Sequence, residues 1–473
     1  MNEPVTDLST ALKKASRSVT RTADHHLPQF HIRLPRGYLN DPNGPIHDGE
    51  RTHLYFQSRP RVDLDIPVEW GHASSTDLVH WTLHRPAIVP LPGGADSDGA
   101  WSGNTVIHDG SIRAYYSGKL SHRVFQSVLM AESRDSGNTY GPPVRVVDDP
   151  SAEEGVTMFR DPFVWRDGGG WSMGVGAATA GHTASIRHYR STDAFTWRYV
   201  GDLAALHRTT VDGTDTGEGW ECPQILTVDG TDIAVVSAWS PTDGPGHVLA
   251  FPLGGTPHPY RVDDGQNFYA ASVMREGPWG PVLFGWITEG RTAEWTKQSG
   301  WSGAISLPRR AWLDAGRIGT EPHPAVDSLR VGAPRPARNA TVGAQIDIVV
   351  PAPATGCVRL RFSATEYLDI SIDAEANTVT IDRTNASSDA RAHSGCAVAA
   401  SAFDDSASRP AVRVLVDGSI VEVFTSAGRA LTTRVYPTQM PPWVVECPAQ
   451  ALVWQLRASI GTHTACDDAT DPN

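Results

Sequence analysis

Three carboxylates stand out by their spacing: Asp41 in "LNDPNG", Asp161 in "FRDP" and Glu221 in "WECP". They recur at multiples of about 60 residues, the signature of a repeated structural unit. Asp41 alone reads as a turn residue, because Asp and Asn beside Pro and Gly favour bends. Equivalent positions on repeated units converge, however, and convergent carboxylates raise one another's pKa unless something uses them. Two uses are open. Metal binding is the weaker: no His or second carboxylate sits at ligand spacing, a lone trio holds Ca²⁺ loosely at best, and Arg160 adds positive charge beside Asp161. No metal and no cofactor are therefore expected. Acid/base chemistry on a sugar fits better, since retaining glycoside hydrolysis needs one ionised carboxylate as nucleophile and one protonated carboxyl as acid. The third carboxylate would grip hydroxyls. Tyr38, Trp70, Trp101, Trp220, Tyr269 and Trp286 recur near the same positions, where aromatic rings either stack on sugar faces or pack between units.

The elements that must position these residues follow from the repeat. An acidic-Gly turn recurs as "HDG" at 47–49 and 108–110, "RDG" at 166–168, "VDG" at 228–230 and "REG" at 275–277. Short apolar runs flank each turn, including "HLYFQS", "IRAYYSG", "WSMGVGA", "IAVVSAW" and "VLFGWI", so each unit contains a hairpin. Ser75, Ser133 and Ser191 echo the same period. Aligned on the turns, Asp41 falls opposite Ser102, Asp161 and Glu221. The expected fold class is all-β: a five-bladed β-propeller over 28–330 followed by a C-terminal β-sandwich. One large sandwich would explain the strands but not the period. An N-terminal arm (1–27), in which 7–19 is either a short helix or a frayed polar segment, precedes the propeller. A linker is expected at 331–345, a sandwich at 346–461 and a disordered tail at 462–473.

Composition narrows the function classes. The chain has 473 residues, 44 Gly, 35 Pro, 40% hydrophobic and 20% charged residues, which suits a turn-rich β protein of more than one domain. A net charge of −13 without a basic patch argues against nucleic-acid and membrane partners. Cys222, Cys357, Cys396, Cys447 and Cys466 are odd in number and lack CxxC or Cys/His metal spacing. The N-terminus has no apolar signal core, so a cytoplasmic location is expected. Oligomeric state is not specified.

The ordered motifs "YLNDPNG", "WGHASSTDLVHW", "WSGN", "FRDP", "WECP", "NFYAAS", "WSGAISLPR" and "SIVEVFTSAGRALTTRVYP" resemble those of glycoside hydrolase family 32, the invertases, levanases and inulinases, from about residue 28 to 460. The resemblance implies that Asp41 is the nucleophile on a β-fructofuranosyl unit, that Glu221 is the acid and later the base, and that Asp161 stabilises the transition state. It also implies that Arg160 holds this constellation, and that Asn40, Gln57, Trp70, Trp101 and Ser102 line the fructosyl pocket with Trp286 as a further wall. Cys222 is either a buried small residue or tunes the acid. The chain departs from the family at Tyr38-Leu39, where Trp-Met or Trp-Leu is usual, and at Gln224 and Asn267, where Asp is common.

The expected activity is that of a β-fructofuranosidase acting on sucrose or a related short fructoside, a small-molecule saccharide. Levan, inulin, sucrose 6-phosphate and fructosyl transfer stay open as variants of the same chemistry. A non-catalytic fructan-binding protein would be expected to lack Asp41 or Glu221. An inverting five-bladed hydrolase of arabinan-type substrates would also gather three carboxylates, but "NDPNG" and the sandwich motif speak against it.

Overall fold

The computed structural model describes residues 24–63, 66–123, 125–150, 155–314, 316–352, 355–404 and 406–462. The expected helix or arm at 7–19 lies outside them, as does 463–473. The regular secondary structure of the described chain is nearly all β-strand. Its one α-helix among the described residues, Ala293–Ser299, starts on a Thr292 cap and stops at Gly300 in the left-handed conformation. No helix of the described residues is long and apolar enough to cross a membrane.

Among the described residues, five mainly antiparallel sheets of four or more strands each open on a long strand before residue 323: Gly37–His47, Ala100–His108, Val156–Asp167, Gly219–Val228 and Phe268–Met274; a short pair, Thr210–Val211 with Thr214–Asp215, lies between the third and fourth. In every sheet the opening strand pairs with the next in sequence through a hairpin. Asp109-Gly110 and Asp229-Gly230 have positive φ at both residues, the turn geometry that matches the twist of paired strands. The acidic-Gly repeat read from the sequence is this row of hairpin tips. The last hairpin, around Glu276-Gly277, has a wider loop between Met274 and Val282.

The opening strands lie side by side. Gly37–His47 contacts Ala100–His108, which contacts Val156–Asp167, then Gly219–Val228, then Phe268–Met274, which returns to Gly37–His47. These strands and their hairpin partners are buried along most of their length, as in "VLFGWI" and "THLYFQSR", because both faces are covered by neighbouring sheets. Apolar clusters fill the spaces between sheets, for example Leu226, Ile233, Val235, Val273 and Leu283.

Two six-stranded sheets follow and share one apolar core built from residues such as Ile346, Ile348, Leu360, Ile370, Val414 and Val423. Strand Tyr367–Asp373 buries Leu368, Ile370 and Ile372 and turns Asp369, Ser371 and Asp373 outward, the alternation of a sheet with one covered face.

The stretch 331–345 is not a linker. Arg330–Pro336 pairs with Leu452–Leu456, and Ala340–Val342 pairs with Trp443–Glu446. Both are edge strands, where Pro334 and Pro336 cost no internal ladder bond, and this explains why a Pro-rich segment hides a strand. The C-terminal boundary also shifts. Ile460–Thr462 leaves the two-sheet unit and runs parallel to Trp81–Leu83 on the outer edge of the first sheet.

A buried ionic network ties the two halves together. Arg309 bonds Asp263 at 2.8 Å and Glu422 at 2.7 Å, and His31 bonds Asp417 at 2.9 Å and Glu422 at 3.4 Å. All of these side chains are buried, so losing one partner strands charge in a low-dielectric setting.

Candidate active site

Each opening strand carries an irregularity at the same level. Opposite Gln57 the first strand spends two residues, Asn40 and Asp41. Opposite Ser117 the second spends Trp101 and Ser102, and the third inserts Asp161 with no partner. The fourth places Cys222 and Pro223 opposite Val236, and the fifth places Ala270 and Ala271 opposite Gly285. A bulge adds a residue to one strand, bends it and re-aims the side chains around it. Asp161, Cys222 and Ala270 hold left-handed backbone with φ of 65°, 47° and 47°. Such conformations are costly for residues with a Cβ and concentrate at functional sites.

The bulges bring the predicted carboxylates together. Asp41 Oδ2 accepts from Ser102 Oγ at 2.7 Å and from Gln57 Nε2 at 3.3 Å, while Oδ1 accepts from Asn40 Nδ2 at 3.1 Å. Gln57 also bonds Ser102 at 2.6 Å and Asn40 at 3.0 Å, so these four side chains form one closed network. The Cys222 thiol lies 3.7 Å from Asp41 Oδ2 and 3.7 Å from Asp161 Oδ2, bridging the two acids. Asp161 Oδ2 further accepts the Cys222 backbone N–H at 3.0 Å, and the Asp161 N–H donates to Ser117 Oγ at 2.7 Å.

Glu221 is held from two sides. Arg160 donates Nε and Nη2 to Oε1 at 3.1 and 2.7 Å, and the Tyr269 hydroxyl lies 2.6 Å from Oε2. The Arg160 guanidinium in turn faces the rings of Trp239 at 4.8 Å and Trp101 at 6.0 Å. Lys119 Nζ stands 5.5 Å from the Trp101 ring centre.

Electrostatics follow from this crowding. Burial pushes the Asp41 carboxyl up to about 6; the Ser102 hydrogen bond opposes the rise and the Glu221 charge adds to it. Burial and the neighbouring carboxylates also push Asp161 up, with Arg160 opposing. Burial and all three acids push the Cys222 thiol well up, so it stays protonated and able to donate.

Asn40, Asp41, Gln57, Ser102, Asp161, Arg160 and Glu221 thus share one connected site, with Trp101 at its edge. Trp286 is half-buried, and its ring packs edge-on against Tyr38 at 6.3 Å and Tyr269 at 6.5 Å. Gly303 lets the "WSGAIS" segment approach this wall: a Cβ there would stand 1.8 Å from the Leu39 carbonyl oxygen. Trp70 departs from expectation. It is 0% exposed and donates its indole N–H to the Trp101 carbonyl at 3.0 Å, so it backs Trp101 and does not line the pocket.

Gln224 and Asn267 are buried and committed to the scaffold. Gln224 bridges the Pro223 carbonyl and the Val273 N–H, and Asn267 ties Thr288 and Glu289 to Arg383. The sequence leaves Tyr269 open between stacking on a sugar and packing between units and does not show its hydroxyl on Glu221; its place in the repeat is the signal that pointed to this level. Among the described residues, one group of metal-ligand type, Asp24, His25 and His26, has ligand atoms within 4.8 Å of one another. Both imidazoles there bond the Pro437 carbonyl and fasten the segment that leads into the first sheet.

Residues 31–322 match the model of the glycosyl hydrolases family 32 N-terminal domain, and 320–445 match the family 32 C-terminal model. Among curated relatives, a sucrose-6-phosphate hydrolase of Escherichia coli is 29% identical over 335 residues, 66% of this chain and 67% of that protein. A raffinose invertase of Escherichia coli is 28% identical over 367 residues, 70% of this chain and 71% of its own length. Among solved structures, a sucrose-6-phosphate hydrolase from Lactobacillus gasseri has a TM-score of 0.80 at 22% identity, covering 96% of this chain and 97% of its own. A Bombyx mori GH32 beta-fructofuranosidase has a TM-score of 0.79 at 20% identity, covering 96% of this chain and 100% of its own. With both domain models matched in order along the chain, the protein belongs to glycosyl hydrolase family 32.

Proposed function

We infer that the protein is a retaining β-fructofuranosidase that cleaves terminal β-D-fructofuranosides such as sucrose. The observation that carries this reading is the convergence of Asp41, Asp161 and Glu221, with Cys222 between the first two and Arg160 and Tyr269 fixing the third. In support of a propeller scaffold, the opening strands contact one another in a closed cycle, which five blades around one axis would produce.

In this reading Asp41 attacks the anomeric carbon through Oδ1, since Oδ2 is taken by Ser102, Gln57 and Cys222. The bond from carbon to the leaving oxygen breaks as Glu221 delivers a proton to that oxygen from Oε2. The result is a fructosyl ester on Asp41. Water then attacks the same carbon, Glu221 takes its proton, and Asp41 is released. Arg160 holds Oε1, which leaves Oε2 as the proton-carrying atom. Asp161 accepts sugar hydroxyls through Oδ1, because Oδ2 is committed to Cys222. Asn40 Oδ1 and Trp286 Nε1 are buried without a protein partner among the described residues and are matched to further hydroxyls of a sugar.

Sucrose 6-phosphate is the second reading, favoured by Lys119 at the Trp101 edge. Turnover of sucrose, sucrose 6-phosphate, 1-kestose, inulin and levan under identical conditions tests both. Sucrose or its 6-phosphate is expected to give the highest kcat/KM, and a lack of activity on every fructoside would overturn the proposal.

A further inference from the structure

A cavity of about 460 Å³ opens between the five-sheet part and the two-sheet unit, apart from the carboxylates. Its walls come from the hairpin around Val211–Thr214, from Tyr260 and Arg261, from Arg317, and from Ala400, Ser401 and Arg429 of the two-sheet unit. It adjoins another of about 340 Å³ and shares Arg317, Ser401 and Arg429 with it. Three guanidiniums face this cleft in a chain whose net charge is −13.

Their charges are unequally compensated. Arg429 is fully engaged by Asp264, with bonds of 2.6, 2.7 and 2.9 Å. Arg261 spends Nε on Thr214 Oγ1 at 2.9 Å and has no ion pair among the described residues. Arg317 lies flat over the Tyr260 ring at 4.2 Å, with no hydrogen bond or ion pair to a described residue. Stacking occupies the face of a guanidinium and leaves its in-plane N–H donors free. Two acids also line the cleft: Asp264, which is used by Arg429, and Asp212, which is exposed and 3.8 Å from His258. Burial and the Arg429 charge push the Arg317 pKa down, only partly opposed by Tyr260, Asp264 and Asp212.

We propose that this cleft binds a phosphate-class anion, either free phosphate or the phosphate of a sugar phosphate, between Arg317 and Arg261. A tetrahedral oxyanion offers the planar forks of both arginines the acceptors that the protein does not supply. The site is separate from the carboxylates, so the proposal stands or falls independently of the substrate assigned above.

The test is calorimetric titration of the full chain with inorganic phosphate and, in a second arm, with glucose 6-phosphate, at matched ionic strength. Wild type should show saturable binding that weakens at least tenfold in Arg317→Gln and in Arg261→Gln and is unchanged in Lys119→Gln. The Arg317→Gln variant should keep its kcat/KM on sucrose. Tighter binding of the sugar phosphate assigns the site to an organic phosphate, and equal binding assigns it to free phosphate. Absence of saturable binding by wild type overturns the proposal. So does binding that survives both arginine substitutions, or that is lost in Lys119→Gln alone. If Arg317→Gln folds poorly by circular dichroism, Arg261→Gln carries the same expectation.

Discussion

The Tyr269 hydroxyl lies 2.6 Å from Glu221 Oε2 and 3.0 Å from the Ala238 carbonyl oxygen. One hydroxyl proton cannot serve both acceptors. With Tyr269 donating to Ala238, its oxygen is left to accept from a protonated Glu221, so this contact suits the acid form; with Glu221 ionised, the proton turns toward Oε2. The tyrosine therefore serves both halves of the proposed cycle. Tyr269→Phe is expected to lower kcat on sucrose by roughly 10- to 100-fold with little change in KM. An activated fructoside whose leaving group needs no proton should lose much less, and equal losses on the two substrates would remove Tyr269 from acid catalysis.

Ser102 donates to the oxygen of Asp41 that also meets Gln57 and Cys222. Because this bond favours the ionised carboxylate, its loss moves the Asp41 pKa upward from about 6. The acidic limb of kcat/KM, set near pH 6 by the need for ionised Asp41, should rise by about 0.5–1 unit in Ser102→Ala. The pH profile of the two enzymes on sucrose reads this directly.

Asp41→Asn should remove turnover by a factor on the order of 10⁴ or more while the fold persists. Stability should move the other way. A carboxyl raised from 3.8 to about 6 by folding binds its proton more tightly in the native state, so charging it costs stability as pH rises through that interval. The variant is therefore expected to melt about 1–3 °C above wild type at pH 8 and with no such gain near pH 4. Calorimetric melting at both pH values checks the sign.

His31 is the mirror case. Its pKa is raised because, although burial opposes its charge, Asp417 and Glu422 more than offset that cost. A histidine raised on folding contributes stability that is complete below about pH 6.5 and lost as pH climbs through the folded value. His31→Gln should cost about 3 kcal/mol at pH 6, since it leaves the buried Asp417 without a cationic partner while Glu422 keeps Arg309, and clearly less at pH 9. A Tm difference that does not depend on pH would contradict a charged His31.

Much of this arrangement is legible in the sequence, and for physical reasons. Acidic-Gly tips such as Asp109-Gly110 mark hairpins because few residues accept left-handed backbone, and their period puts Asp41, Asp161 and Glu221 at one level. The site network around Asp41 follows from the family pattern at Asn40, Gln57 and Ser102. What the residues do not announce is direction. Trp70 and Trp101 both read as pocket rings, yet the bulge at Trp101-Ser102 opens to the site, whereas Trp70, directly opposite Gln57, lies one strand further from it and packs its ring beside Tyr55 and Tyr116. The thiol of Cys222 reaches two acids because its backbone is left-handed, which no local composition predicts. Arg330–Pro336 was hidden by its prolines, which an edge strand tolerates.

The central claim, double displacement at a fructosyl unit, is tested most directly by the anomeric configuration of the product formed in aqueous methanol. Methanol intercepts the fructosyl-enzyme in place of water and yields a glycoside that does not mutarotate. Proton NMR of a reaction with sucrose is predicted to show methyl β-D-fructofuranoside as the methanolysis product. The α-anomer in its place would mean single displacement and would contradict the roles given to Asp41 and Glu221.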